Sequence, residues 1–331
     1  MYRLHKNLSN VRYYDFYKEL IITIDEESRN FITYDLALNR QFCVEGSFEG
    51  ILVLNDLLLD YSLEGWDLVN NLPTKLFENL QYAYSDDQIL ISKKVNYEKR
   101  QVNYFLSKLN DLNSYRDIDL KANPVASLGE SIICRKEGII VYDINSSNIL
   151  WTCDVGQIAS YEDYDGHHSG QIKQVYSWQD KVLISVTHGI ICFDVSSGSI
   201  IWHTKFDNYS PNELHLLDEK IYLAQGIYYA VIDLESGRKI IDTTFGNNVS
   251  VGEKIIPMLS SRPDIAYYNN KIWHLDTHDS QYYLFAHEPD TGSIVHKQLL
   301  KELKAPCDTP RFSANRMYIL DNKKTLHIYA K

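Results

Sequence analysis

Apolar residues in this chain come in short runs bounded by polar turns, not at the spacing of an amphipathic helix. The run Gly138–Tyr142 reads Gly-Ile-Ile-Val-Tyr, Gly189–Phe193 reads Gly-Ile-Ile-Cys-Phe, and Tyr229–Ile232 reads Tyr-Ala-Val-Ile. Runs of this length between turn residues predict β-strands. None approaches the roughly 18 consecutive apolar residues that a membrane-spanning helix requires.

After each strand comes a recurring polar phrase. It is clearest at Asp194-Val-Ser-Ser-Gly198-Ser-Ile-Ile-Trp202 and Asp143-Ile-Asn-Ser-Ser147-Asn-Ile-Leu-Trp151. The frame returns at Asp233 to Ile241, at Glu288 to His296, and more faintly at Asp35 to Cys43. Each copy reads as a tight hairpin. The acidic residue accepts hydrogen bonds from turn amides, and Gly or Asn at the fifth position takes positive φ at low steric cost. Trp151 and Trp202 then begin the outgoing strand, where they are expected to fill the gap between neighbouring sheets.

A second mark precedes the strand before each hairpin. Lys181, Lys220, Lys271 and Arg316 each follow a polar or acidic residue, at spacings of 39, 51 and 45. That period matches the roughly 40 to 50 residues of a four-stranded propeller blade. The phrase resembles the A-x-D-x-x-T-G-x-x-x-W motif of the PQQ-like (quinoprotein-type) β-propeller repeat superfamily, which includes quinoprotein dehydrogenases and a non-enzymatic scaffold lipoprotein of outer-membrane assembly. The resemblance covers residues 130–331 and implies architecture, not activity. The dehydrogenases of this superfamily are exported and often carry vicinal cysteines beside the quinone. This chain shows neither feature, so it is read as a non-enzymatic cytoplasmic member with no cofactor and no metal.

The expected fold is therefore all-β: a single domain, 1–331, forming a seven-bladed β-propeller of four-stranded antiparallel blades, with six or eight blades allowed. Blade cores fall near residues 19–43, 87–106, 131–154, 181–206, 220–245, 271–296 and 316–330. Residues 50–82 are the doubtful stretch, where two strands of an extra or incomplete blade fit and Pro73 to Leu80 reads as a short helix capped by Thr74. The last unit is short of strands, so the segment around Tyr2 to Leu8 is expected to return and complete it.

Composition narrows the partners. A net charge of −11 disfavours nucleic acid and anionic lipid and attracts a basic protein. The five cysteines, with no C-x-x-C pair, read as buried thiols. No G-x-S-x-G, H-E-x-x-H, P-loop or dinucleotide fingerprint occurs, so no catalytic residue is assigned. Two clusters remain. Tyr161, Glu162, Asp163, Tyr164, Asp165, His167 and His168 form an acidic, His-containing loop. With Tyr209, Tyr267 and Tyr268 they are the expected partner-binding residues, because Tyr supplies amphipathic contact area at little entropic cost. His274 and Asp276 alternate onto one strand face, with His278 at the next turn. They would serve the alternative, a propeller hydrolase or lyase with its site in the central tunnel. The preferred expectation is a non-catalytic protein-binding scaffold, in its sharpest form a bacterial immunity protein that neutralises a basic toxin domain.

Overall fold

The computed structural model describes residues 1–331 apart from Tyr164 and residues 208–209, 212–213, 226–227, 245–247, 252–253 and 258–264. The architecture is an all-β β-propeller of four-stranded antiparallel blades, eight in number. They span residues 11–44, 52–75, 81–118, 123–153, 172–205, 215–244, 266–300 and 311–330, and are called blades 1 to 8.

The count is the eight that the expectation allowed, one more than the seven it favoured. The missing unit is blade 2, built from Leu52–Leu54, Leu57–Leu59, Glu64–Asp67 and Leu72–Lys75. Its last strand takes the place of the helix expected from Pro73. A proline lacks a donor N–H, which an outermost edge strand tolerates because that side of the strand pairs with nothing.

Two compact units divide the chain. The N-terminal unit, residues 10–154 with 195–198, holds blades 1 to 4. The C-terminal unit, residues 1–9, 155–194 and 199–331, holds blades 5 to 8. In each unit apolar side chains of consecutive blades merge into shared cores. Ile22, Phe31 and Val44 of blade 1 meet Leu58 of blade 2, and Leu183 and Cys192 of blade 5 meet Ile221 and Ile232 of blade 6. A sheet covered on both faces buries successive residues, as in Lys181–Val186, where all six residues are buried.

The hairpin phrases form as expected. Asp143 accepts the amides of Asn145 (3.1 Å) and Ser146 (2.7 Å), and Asp233 accepts that of Ser236 at 2.8 Å. The fifth position takes positive φ at Ser147 (58°), Gly198 (70°), Gly237 (68°) and Gly292 (69°). In the Asp35 copy that role shifts one residue earlier, to Leu38 (68°). The tryptophans join hairpin to hairpin. Trp151 Nε1 donates to the Val195 carbonyl at 2.7 Å, and Trp202 Nε1 to that of Leu234 at 3.1 Å. Each indole lies so close to the next turn that a Cβ on Gly198 or Gly237 would sit 2.6 or 2.5 Å from it.

The N-terminus completes blade 8. Arg3–Leu8 pairs antiparallel with Leu326–Ala330 as the fourth strand. Tyr2 is buried against Trp273 and Phe312, and its amide donates to Gln298 Oε1 at 2.8 Å while Gln298 Nε2 donates to its carbonyl.

Candidate functional site

Because the strands of a blade run antiparallel in sequence order, the segment entering the first strand and the turn between the second and third strands share one end of the sheet. At that end the C-terminal unit carries two hairpins that belong to no blade. Tyr161–Asp163 pairs with Gly166–His168 before blade 5, and Asn248–Val251 pairs with Lys254–Pro257 before blade 7.

The first hairpin is anchored at its base. A single helical turn, Val155–Ile158, buries Val155, the Ala159 amide donates to the Val155 carbonyl (2.9 Å), and the Gly170 amide donates to that of Gly156 (3.0 Å). A Cβ on Gly170 would lie 2.3 Å from the Ala159 carbonyl oxygen, so only glycine closes this excursion. The hairpin is then tied to the second turn of blade 5: the Thr187 amide donates to the Gln171 carbonyl (3.0 Å), and the Gln171 amide donates to Thr187 Oγ1 (3.1 Å).

These ties set the Tyr161 ring between two imidazoles, parallel to His168 at 5.2 Å and edge-on to His188 at 4.8 Å. Beside it opens a cleft of about 620 Å³ lined by Tyr161, Glu162, His167, His188, His203, Lys205 and Asp207 among others. Burial, with the Lys205 ammonium nearby, holds the His203 imidazole below its ordinary range. The cleft therefore presents an aromatic face, neutral imidazole, one ammonium and two carboxylates. It is a surface of mixed polarity. Among the described residues no cluster of three or more His, Cys, Asp or Glu is arranged to hold a metal ion.

Of the residues singled out by sequence, Tyr161, Glu162 and His167 line the cleft, and His168 supports Tyr161. Asp163 pairs with Gly166, and Asp165 is exposed in the turn. Tyr164 and Tyr209 lie outside the described residues. Tyr267 and Tyr268 are not brought to the cleft. Tyr267 leans on Tyr222 (6.4 Å) and donates to Asn270 Oδ1 (2.5 Å), while Tyr268 stacks on Phe312 at 4.7 Å and donates to Asn315 Oδ1 at 3.1 Å. Both serve packing between consecutive blades. His188, His203 and Lys205 were missed, since nothing local in their sequence marks them. They reach the cleft only because separate connections share one end of the sheet.

His274 and Asp276 do share a face, but it is a packed one, with 7% and 1% exposure. The His274 ring stacks on His287 (4.9 Å, 12°) and Phe285 (5.4 Å, 28°), and neither of its nitrogens has a hydrogen-bond partner among the described residues. At this burial the pair packs inside blade 7, against side chains of the neighbouring strand.

Stacked four-stranded antiparallel blades place the chain in the β-propeller class, with a polar cleft at the hairpin-bearing end of the C-terminal unit. Among solved structures the chain is similar to the computationally designed Ika8 protein (TM-score 0.64, 11% identity, 98% of this chain and 96% of that one). It is also similar to BamB from Moraxella catarrhalis, a PQQ-like β-propeller (TM-score 0.60, 11% identity, all of both chains). A third is the β-propeller domain of Cps50 (Swd1) from Myceliophteria thermophila (TM-score 0.51, 11% identity, all of both chains). At such identities the likeness is one of fold. No protein-family model matches the sequence, and no curated protein matches it either.

Proposed function

We propose that the chain is a non-catalytic protein-binding scaffold, a single propeller domain whose partner docks on the hairpin-bearing end of the C-terminal unit. The observation that carries this is the cleft beside Tyr161: an excursion outside the blades, braced by backbone bonds, holds an aromatic ring between two imidazoles next to charged groups of both signs. A blade needs none of this for its own stability, and preorganised aromatic surface rimmed by polar groups is what protein recognition uses.

The finer reading is a cytoplasmic immunity protein that occludes the active site of a basic toxin domain. The net charge of −11 supports a basic partner. Affinity isolation from the native host with the wild-type chain and with a Tyr161→Ala/His188→Ala variant tests both levels. A stoichiometric protein retained by the wild type and lost by the variant supports the scaffold. Salt-weakened binding and toxicity of that protein when freed support the immunity role. Recovery of no stoichiometric protein would end the proposal.

A further inference from the structure

The acidity of the chain is unevenly spread. Residues 10–85 carry thirteen Asp and Glu against five Lys and Arg, whereas residues 93–136 carry nine Lys and Arg against five Asp and Glu. The second stretch is the core of blade 3 and the start of blade 4, both in the N-terminal unit. Here the second and third strands, Ile89–Asn96 and Gln101–Lys108, are eight residues each. They pair in unbroken register out to Asn96 and Gln101. The tip they carry, Tyr97-Glu-Lys-Arg100, is wholly exposed, with Tyr97 at 79%.

Under this tip runs a groove of about 1050 Å³. Its cationic lining comes from Arg100 on the tip, Lys121 on the connection into blade 4, and Arg135 and Lys136 on the next turn of blade 4. Two carboxylates, Asp119 and Glu137, also line it, and Asp119 is engaged with Lys121. Arg100 and Lys136 are exposed and form no ion pair with any described residue. The amides of Gln101, Asn103 and Asn123 line the same groove, with Asn123 Oδ1 accepting from Tyr104 at 2.9 Å.

We propose that this groove, wholly within the N-terminal unit, docks an extended acidic segment of a protein partner. Arg100 and Lys136 meet the carboxylates of the segment, and the side-chain amides meet its backbone. Exposed Tyr97 and Val102 beside the groove give apolar contact area. Charge complementarity selects the anionic occupant, and screening selects a short one. At physiological salt an ion feels charges within roughly 8 Å, so a segment confined to the groove senses its cations. A long polyanion such as RNA runs on across the acidic remainder of the unit and is repelled there.

The test is fluorescence anisotropy with a labelled oligoglutamate peptide and, in parallel, a labelled single-stranded oligouridine. The chain is compared with Arg100→Glu/Lys136→Glu and with Lys301→Glu/Lys304→Glu, which makes the same charge change in the C-terminal unit. All four positions are exposed, and matched melting curves confirm that the variants fold. The groove variant is expected to bind the peptide roughly tenfold more weakly and the control to change it less than about twofold. Equal losses in the two variants, an unaffected groove variant, or tighter binding of RNA than of peptide would each overturn the proposal. None of these outcomes depends on whether a partner uses the Tyr161 cleft.

Discussion

Acidification should loosen the C-terminal unit well before the N-terminal one. All eleven histidines lie in the C-terminal unit, and none falls within residues 10–154 or 195–198. Several are held neutral by burial. His287 is pushed down from 6.5 to about 4, the burial penalty outweighing the bond between its Nδ1 and the Gly292 carbonyl. His274, stacked on it, is pushed well below its ordinary value, and His203, His215 and His296 shift the same way. A folded-state value below the unfolded one means that the unfolded chain binds the proton first. The stabilisation is therefore complete above pH 6.5 and declines as the pH falls from 6.5 towards 4. With about 1.4 kcal/mol per pKa unit, His287 alone removes about 2 kcal/mol at pH 5 and about 3 kcal/mol at pH 4. The N-terminal unit titrates later. Its turn aspartates Asp25, Asp35, Asp67, Asp86 and Asp143 are held below 3.8 because hydrogen bonds from turn amides and side chains, including Ser127 of the next blade at Asp86, outweigh burial, so their contribution is lost only under more acid conditions. Hydrogen exchange at pH 7.5 and pH 5, corrected for the chemical exchange rate, resolves the two units peptide by peptide. Protection should fall in blades 5 to 8 and hold in blades 1 to 4. Equal loss in both units, or loss confined to residues 10–154, would refute the reasoning.

Three further predictions follow from packing. His274→Phe exchanges an imidazole with two unpartnered nitrogens for a ring of similar shape, so it should raise thermal stability and blunt the loss between pH 7 and 5; a lower melting temperature at pH 7.5 would contradict this. Gly237→Ala meets both a φ of 68° and the Trp202 ring 2.5 Å away, whereas Gly129→Ala meets a φ of 58° with nothing within 4 Å. Denaturant titration should show a loss of about 1 kcal/mol for the second and about 2 to 4 kcal/mol for the first. Tyr2→Ala should cost about 3 kcal/mol and free the fourth strand of blade 8, read as proteolytic cleavage near the N-terminus; an unchanged cleavage pattern would show that the clasp contributes little.

The blade repeat was legible because one turn chemistry recurs: an acidic acceptor, a residue of positive φ, and an aromatic residue in the outgoing strand. Blade 2 carries the same turn, with Asp67 Oδ1 accepting the amides of Val69 and Asn70 at 2.9 Å and Asn71 at φ 56°. The sequence shows it only as an extra or incomplete blade, because its strands are short, Leu52–Leu54 and Leu57–Leu59, and because Leu72 and Pro73 follow the turn. The N-terminal clasp was legible from the shortage of strands at the other terminus. The cleft was legible only in its hairpin half, since Tyr161 and His167 are neighbours in sequence while His188, His203 and Lys205 come from other connections. His203 directly follows Trp202, so a strand alternation that faces Trp202 towards the next blade turns His203 the other way. The basic groove was hidden by the chain's overall acidity, which averages away a local excess of cations.

The proposed function stands or falls with a partner sitting on the hairpin end of the C-terminal unit. Hydrogen-exchange footprinting of the chain, free and bound to a protein isolated with it, reads that directly. Protection concentrated in residues 155–171, 186–189 and 203–207 is the predicted result; protection that spares all three segments would contradict it.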